Sequence, residues 1–286
     1  MPEQTLAATV RAAAERLAAA GVPDPVVDAE LLIGHIRGLR RGEVQAGMVR
    51  GDLLSEPEDA ALQQLVARRA AREPLQHLTG TAPFRHIELA VGPGVFVPRP
   101  ETEIVAQFAI DALAADADPS PIGVDLCTGS GAIALAMATE VPHSRVFAVE
   151  LSPDAHVWAA RNTAGAENLS LVHGDLADTL GELDGTASVV ISNPPYVPDD
   201  AIPRDPEVRL HDPAMALYGG PDGLDVVRVL SRRALRLLRS GGTLVIEHGE
   251  LQGAEIRSLL EADGWRATTT HRDLAQRDRA TTALKP

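Results

Sequence analysis

The sequence predicts an α/β protein in which a mostly parallel sheet, covered by helices on both faces, follows a small helical domain. From about residue 101 onward, near-continuous Val/Ile/Leu runs alternate with helical segments, the pattern of strands buried on both sides. Before residue 74, apolar residues recur at three- and four-residue spacing, as they do along a helix face. The length of 286 residues suits one large domain or two ordinary ones.

In chain order, Leu6, Val10, Ala13, Leu17 and Ala20 form the first apolar stripe, and 28–36 and 57–71 repeat it. Gly21-Val22-Pro23 and Gly51 punctuate these helices, and 41–50 carries no clear period. Residues 1–73 therefore read as a helical domain. Residues 74–100 read as a linker, broken by Pro74, Gly80, Pro83, Gly92, Pro93, Gly94, Pro98 and Pro100. Within it, 87–91 and 95–97 predict a short hairpin turned by Gly92-Pro93-Gly94. Residues 101–286 hold the sheet, with strands at 122–127, 145–150, 169–173, 187–192 and 243–248 and helices at about 131–140, 153–164 and 223–239. Ser152-Pro153 predicts an N-cap and first-turn proline. Asp222 to Asp225 suggests a capping box, and Gly241-Gly242 a stop for that helix. The runs 265–270 and 278–284 are joined closely enough to form an antiparallel pair.

Composition narrows the function classes. No run of about eighteen apolar residues exists to span a membrane. The opening MPEQTLAATVRAAAERLAAAG, with Glu3, Arg11, Glu15 and Arg16, lacks the basic-then-apolar order of a secretory signal. With one cysteine, Cys127, no internal disulfide framework is available, and a cytoplasmic location is expected. A net charge of −14 opposes an electrostatic grip on nucleic acid and suits solubility or a basic partner surface. The nine histidines show no metal-ligand spacing, so no metal is expected.

The first strand of the sheet domain runs into Asp125-Leu126-Cys127-Thr128-Gly129-Ser130-Gly131, and a helix begins at once. Glycines let the backbone turn and approach a ligand, and the helix start offers unpaired N–H groups. Gly129, Gly131 and Ala134 satisfy G-x-G-x-x-A, a dinucleotide fingerprint. Read from Asp125, the same residues give D-x-x-x-G-x-G, a loop used for S-adenosylmethionine. Pyrophosphate wants no carboxylate nearby, whereas an acid at Asp125 suits the cationic amine of a methionine moiety, which tilts the reading toward the sulfonium cofactor. Glu150 ends the second strand about 20 residues on, where an acid bonds ribose hydroxyls. Asp175 and Leu176 follow the third strand, within reach of an adenine.

After the fourth strand comes Asn193-Pro194-Pro195-Tyr196. Two prolines fix φ and withhold two donors while their carbonyls stay able to accept. The Asn193 carboxamide and the Pro194 carbonyl can accept both protons of a planar –NH2 group, with Tyr196 as a flat wall. Methylation of an amide or aromatic amine needs this arrangement, because the nitrogen lone pair is delocalised and positioning supplies most of the rate. Such sites lie at the carboxyl ends of parallel strands.

With these residues in place, the chain resembles the PrmC/HemK family of protein-(glutamine-N5) methyltransferases. The resemblance runs from about Pro74 to the C-terminus. It rests on Pro74-Leu75-Gln76-His77 with Gly80, the run Pro93 to Glu103, Asn193 to Tyr196, Gly219 to Asp225, Asp273-Leu274 and Asp278-Arg279. It implies a class I S-adenosylmethionine-dependent methyltransferase fold, Rossmann-like with a seven-stranded sheet. The implied substrate is the Gly-Gly-Gln glutamine of class I peptide chain release factors, the implied donor S-adenosylmethionine and the product S-adenosylhomocysteine. By position, Cys127, Thr128, Gly129, Ser130 and Gly131 would form the cofactor loop, and Glu150 would hold ribose. Asp175 and Leu176 would flank adenine, and Asn193 would touch both ligands. Phe96, Arg99 and Glu103 would line the acceptor pocket. The helical domain matches the family's substrate-binding domain in placement. Cys127 stands where the family has a glycine, which a thiol can occupy if φ stays negative, and His248 reads as structural. An adenine-N6 methyltransferase of DNA or RNA is the alternative, which acidity and the lack of a base-reading domain oppose. A non-catalytic binding module is the third reading.

Overall fold

The computed structural model describes residues 5–286, so Glu3 of the opening segment lies outside the described residues. Two compact units emerge, one holding the residues up to Thr81 together with Pro203–His211, the other Ala82–Ile202 with Asp212–Pro286.

In the first unit, α1 (Leu6–Ala19), α2 (Pro25–Arg37), α3 (Arg41–Arg50), α4 (Glu56–Ala70) and α5 (Leu75–Thr79) precede the sheet domain in the chain. Leu6, Val10, Ala13 and Leu17 of the predicted stripe are buried with Leu32, Ile33, Leu62 and Val66 in one core, while Ala20 caps α1 and is half-buried. Side-chain caps set the helix starts: Thr5 Oγ1 accepts from Ala8 N–H, and Glu58 returns to the Ser55 N–H at 2.8 Å. The unassigned stretch 41–50 is helical, with only Val44 and Gly47 buried, too few for an apolar period to show in sequence. The unit also takes in α9 (Pro206–His211), where Glu207 is buried between two arginines. Arg69 Nη1 and Arg72 Nε donate to Glu207 Oε1 at 2.7 and 2.8 Å, and Arg69 Nε donates to Asp28 at 2.7 Å.

The second unit carries β1 (Thr81–Phe84) and β2 (Ile87–Ala90), then α6 (Pro100–Ala114), β3 (Ile122–Leu126), α7 (Ala132–Glu140), β4 (Arg145–Glu150), α8 (Pro153–Thr163), β5 (Leu169–His173) and β6 (Ala187–Ser192). After them come α10 (Ala214–Leu217), α11 (Asp225–Leu237), β7 (Leu238–Glu247), α12 (Gly253–Ala262), β8 (Arg266–Arg272) and β9 (Asp278–Leu284). The seven strands β3 to β9 form one sheet in the order β5-β4-β3-β6-β7-β9-β8. Five are parallel, and β9 pairs antiparallel with both β7 and β8, as the close spacing of the last two runs predicts. This is the class I methyltransferase sheet.

One core joins α6 and α7 to the sheet through Val105, Ala106, Ala109, Ile133, Met137, Val189, Ile191 and Val245. The other joins α11 and α12 through Val190, Leu244, Ile246, Leu230 and Ile256. Each buried Val, Leu, Ile or Met among them contributes roughly 1.5–3 kcal/mol. No helix among the described residues is long and apolar enough to cross a membrane.

Three local expectations are corrected. The hairpin is β1 with β2, turned at Arg85-His86, and 95–97 is not a strand. Val95 and Val97 are buried in the core, and a Cβ at Gly92 would lie 2.6 Å from the Trp158 ring, so this segment packs on α8 instead of pairing. The helix before β7 ends at Leu237, and Gly241-Gly242 lie inside β7, beside a register shift in its pairing with β6. Asp222 makes no capping box; its Oδ1 accepts the Leu224 N–H at 3.0 Å in a local turn. Ser152, by contrast, caps α8 as predicted, accepting from Ala155 N–H, with Pro153 in the first turn.

Candidate active site

Register lines up the strand ends. Leu126 of β3 is opposite Ser192 of β6, and Ser192 is opposite Ile246 of β7. The next residues, Cys127, Asn193 and Glu247, therefore leave adjacent strands at one edge, and Glu150 ends β4 on the far side of β3. Neighbouring strands lie about 4.8 Å apart, so the glycine loop and Asn193 are one spacing from each other, and Asn193 and Glu150 two.

The glycine loop is held from both sides. Thr128 N–H donates to Val149 O at 3.0 Å, and Gly129 N–H to Glu150 Oε2 at 2.8 Å. Glu150 Oε1 accepts from Ser152 N–H at 2.7 Å. Burial raises the Glu150 carboxyl, opposed by these backbone donors. Gly129 and Gly131 have φ of +59° and +83°, conformations that favour glycine. A Cβ at Gly129 would meet open space, whereas one at Gly131 would press on Thr163 and Ala159 of α8. The loop so divides into a residue that leaves room and one that packs; Ser130 is buried, and its carbonyl accepts from Asn162.

Asp125 does something other than face a cationic ligand. It is fully buried, and its Oδ2 accepts from Thr128 Oγ1 at 2.6 Å and from Ala134 N–H at 3.2 Å, tying the loop to the first turn of α7. Oδ1 has no hydrogen-bond partner among the described residues, and burial pushes the carboxyl up to about 7. Cys127 also departs from expectation, with φ of +64°, not negative. Its sulfur packs against the core of α11 and α12, and burial with nearby Glu150 pushes the thiol up to about 12. Asp175 is exposed and accepts from Ala177 N–H at 2.8 Å, a turn contact, while Leu176 is buried in the core.

The acceptor loop is clamped through its backbone. Gln252 Nε2 donates to Tyr196 O at 2.9 Å, and its Oε1 accepts from Gly249 N–H at 2.9 Å. The loop Gly219 to Asp225 lies on the same carbonyls: a Cβ at Gly219 would stand 2.5 Å from Pro195 O, and one at Gly223, whose φ is +75°, 2.2 Å from Tyr196 O. Both carbonyls are thus covered, and the bonds of this loop run through Val197, Gly219 and Tyr196, with none on the Pro194 carbonyl among the described residues. Asn193 and Tyr196 are half-buried, Pro194 buried and Pro195 half-buried. Burial and the neighbouring Glu247 push the Tyr196 hydroxyl above its ordinary range.

Arg99 stacks over Phe96 at 5.0 Å and donates to Asp212 Oδ2 at 2.7 Å, so its charge is neutralised within this unit. Glu103 is turned to the β1–β2 turn, accepting from Arg85 N–H at 3.0 Å, and not into the acceptor pocket. His248 is buried, its ring bonded to Gly249 O and Thr281 Oγ1 at 2.9 Å each, a structural role as expected. Sequence reasoning passed over Thr102, Gln252 and Glu247. The available signal for Glu247 was an acid closing the apolar run Leu244 to Ile246.

Residues 8–80 match the PrmC N-terminal domain, and 86–209 match the methyltransferase small domain. Similar curated proteins include a release factor glutamine methyltransferase of Streptomyces coelicolor, 51% identical over 98% of each chain. One of the same description from Bifidobacterium longum is 44% identical over 94% of this chain and 96% of its own. A 4-amino-L-phenylalanine/4-methylamino-L-phenylalanine methyltransferase of Streptomyces pristinaespiralis is 38% identical over 91% of this chain and 88% of its own. Among solved structures, a ribosomal protein L11 methylase from Lactobacillus delbrueckii aligns with a TM-score of 0.48 at 17% identity, covering 68% of this chain and 84% of that one.

Proposed function

The chain belongs to the family of release factor glutamine methyltransferases, and from that membership we infer that it methylates the side-chain nitrogen N5 of the Gly-Gly-Gln glutamine in class I peptide chain release factors, in the cytoplasm, with S-adenosylmethionine as donor. The observation that carries this reading is the adjacency of β3 and β6, which brings the glycine loop and the acceptor loop to one edge of the sheet.

The residues suit the cofactor. Gly129 leaves open space where any other residue would put a side chain. Glu150 accepts one backbone N–H on each oxygen, leaving lone pairs for two ribose hydroxyls. Cys127, Thr128, Ser130 and Gly131 complete the loop, with Asp175 and Leu176 toward adenine. When bound, the cofactor supplies an electrophilic methyl carbon on a sulfonium whose charge disappears on transfer.

The chain's own residues prepare the nucleophile. Asn193 Oδ1 and the Pro194 carbonyl accept hydrogen bonds from the two amide N–H groups, which raises electron density on a nitrogen whose lone pair is otherwise drawn into its carbonyl, and the methylated nitrogen then releases one proton to solvent. Tyr196 and Pro195 hold the carboxamide plane, and Phe96 with Arg99 borders the pocket. Positioning of this kind supplies the larger share of the rate. No direct nucleic-acid contact, membrane or metal enters this reading.

The same acceptors fit an aromatic amine, and the Streptomyces pristinaespiralis relative is named for one, so the test offers both. Labelled S-adenosylmethionine is incubated with purified release factor, an adenine-containing oligonucleotide or 4-amino-L-phenylalanine, and products are mapped by mass spectrometry. Methyl on the release factor glutamine is expected; methyl on adenine or on the free amino acid alone overturns the assignment.

A further inference from the structure

Beyond the acceptor loop lies a buried acid with no assigned task. Glu247 is 1% exposed, closes β7, and has one oxygen, Oε2, without a hydrogen-bond partner among the described residues. Leaving a buried acceptor unmet costs about 1–3 kcal/mol, which packing alone gives no reason to retain.

Its neighbours are set by strand and helix periodicity. Ile191 and Val245 point to the α6 face of the sheet, and two residues further on Asn193 and Glu247 continue that face. On α6, Thr102 lies one turn before Val105 and Ala106, which cover those strands. The apolar layer thus ends in three polar residues, one from each element. Asn193 Nδ2 is 3.5 Å from Thr102 Oγ1, and the side chains of Thr102 and Asn193 both work against burial to lower the Glu247 carboxyl.

We propose that Glu247 is a positioning residue that, together with the Thr102 hydroxyl, holds the amino end of the Asn193 carboxamide and thereby aims Asn193 Oδ1 at the acceptor amide. An ionised carboxylate only accepts, so the asparagine must turn its NH2 toward it. Thr102 gives its one proton to the carboxylate and keeps lone pairs for Asn193 Nδ2. Both groups then oppose the flipped amide, which would present NH2 to a substrate –NH2 and repel it. This inference rests on the proposed glutamine transfer.

Protonation undoes the arrangement, because a neutral acid can donate to Asn193 Oδ1 and compete with the substrate. Burial pushes Glu247 up to about 7. The charged and titratable groups facing it are Glu101 from the first turn of α6, Tyr196 from the acceptor loop and Arg279 from β9. Glu101 works with burial to raise it, and Arg279 lowers it. Activity is therefore expected to fall as pH drops through neutrality.

The test measures single-turnover methyl transfer to release factor glutamine and cofactor Kd for the full chain, across about pH 5.5 to 8.5. The proteins are wild type, Glu247→Gln, Thr102→Val and Thr102→Ser. Glu247→Gln, which can donate as well as accept, should lose about 10- to 100-fold in rate with cofactor Kd unchanged, and lose the acid limb of the profile. Thr102→Val should show a similar rate loss, and Thr102→Ser should retain the wild-type rate. If Glu247→Gln fails to bind cofactor, Thr102→Val against Thr102→Ser carries the test. Wild-type rate and profile in Glu247→Gln, or in Thr102→Val, overturns the inference while leaving the glutamine transfer standing. Absence of glutamine methylation by the wild type overturns the transfer itself, and the wild-type arm reads that separately.

Discussion

The Glu150 carboxylate accepts the Gly129 N–H at 2.8 Å, joining the end of β4 to the loop after β3. One acid therefore shapes the glycine turn while keeping capacity for a ligand. Replacing it removes both contributions at once. Glu150→Ala is expected to weaken S-adenosylmethionine binding by on the order of 30-fold or more, about 2 kcal/mol, as lost charge-assisted hydrogen bonds do. Isothermal titration checks this; an unchanged Kd contradicts the ribose role.

Asn193→Ala deletes the carboxamide but leaves the glycine loop and Glu150 intact. Transfer is expected to fall on the order of 100-fold or more, with cofactor Kd changed only severalfold. Single-turnover assays alongside titration separate the two. Equal loss in both quantities would place Asn193 in cofactor binding alone.

Cys127 holds φ of +64°, a conformation that costs a residue with a Cβ about 1 kcal/mol. Cys127→Gly removes that strain and the sulfur contacts together, so its stability is expected within about 1 kcal/mol of wild type. Cys127→Ala keeps the strain and loses the sulfur, and should be the less stable of the two in chemical denaturation. With the thiol pushed up to about 12, alkylation of the folded protein at mildly alkaline pH should be slow and become fast on unfolding.

In the helical unit, burial works against the charge of Glu207, but hydrogen bonding with Asp205, Arg72 and Arg69 outweighs it and lowers the carboxyl to about 2. A carboxyl lowered on folding contributes stability that is present above its unfolded value and lost as pH falls toward the folded one. Thermal melts should therefore show the advantage of wild type over Glu207→Gln intact at neutral pH and shrinking below about pH 4.5. Glu207→Ala leaves Arg69 paired with Asp28 but removes the principal partner of Arg72, and should cost about 1–3 kcal/mol at neutral pH.

The sheet was legible in sequence because its strands are unbroken apolar runs between helices, and the site because Glu150 closes such a run while Gly129 and Asn193 lie just beyond one. Period and turn chemistry see only local pattern. They missed α3, whose buried face is two residues, and α6, whose opening Pro100-Glu101 reads as more of the preceding proline-rich stretch. Asp125 was misread for a different reason: sequence shows that an acid precedes the glycines but not that its carboxylate turns back to Ala134. Glu207 joins the helical unit from more than 130 residues away, a pairing that no local rule predicts. Glu247 lay in plain view at a strand end, yet only its burial beside Thr102 and Asn193 separates it from a solvated terminus.

A crystal structure of the protein with S-adenosylhomocysteine and a Gly-Gly-Gln peptide tests the central claim most directly. The expected result is a glutamine carboxamide bonded to Asn193 Oδ1 and the Pro194 carbonyl, its nitrogen facing a sulfur lodged beside Gly129. A peptide bound away from the ends of β3 and β6, or a cofactor opening onto the opposite edge of the sheet, would contradict it.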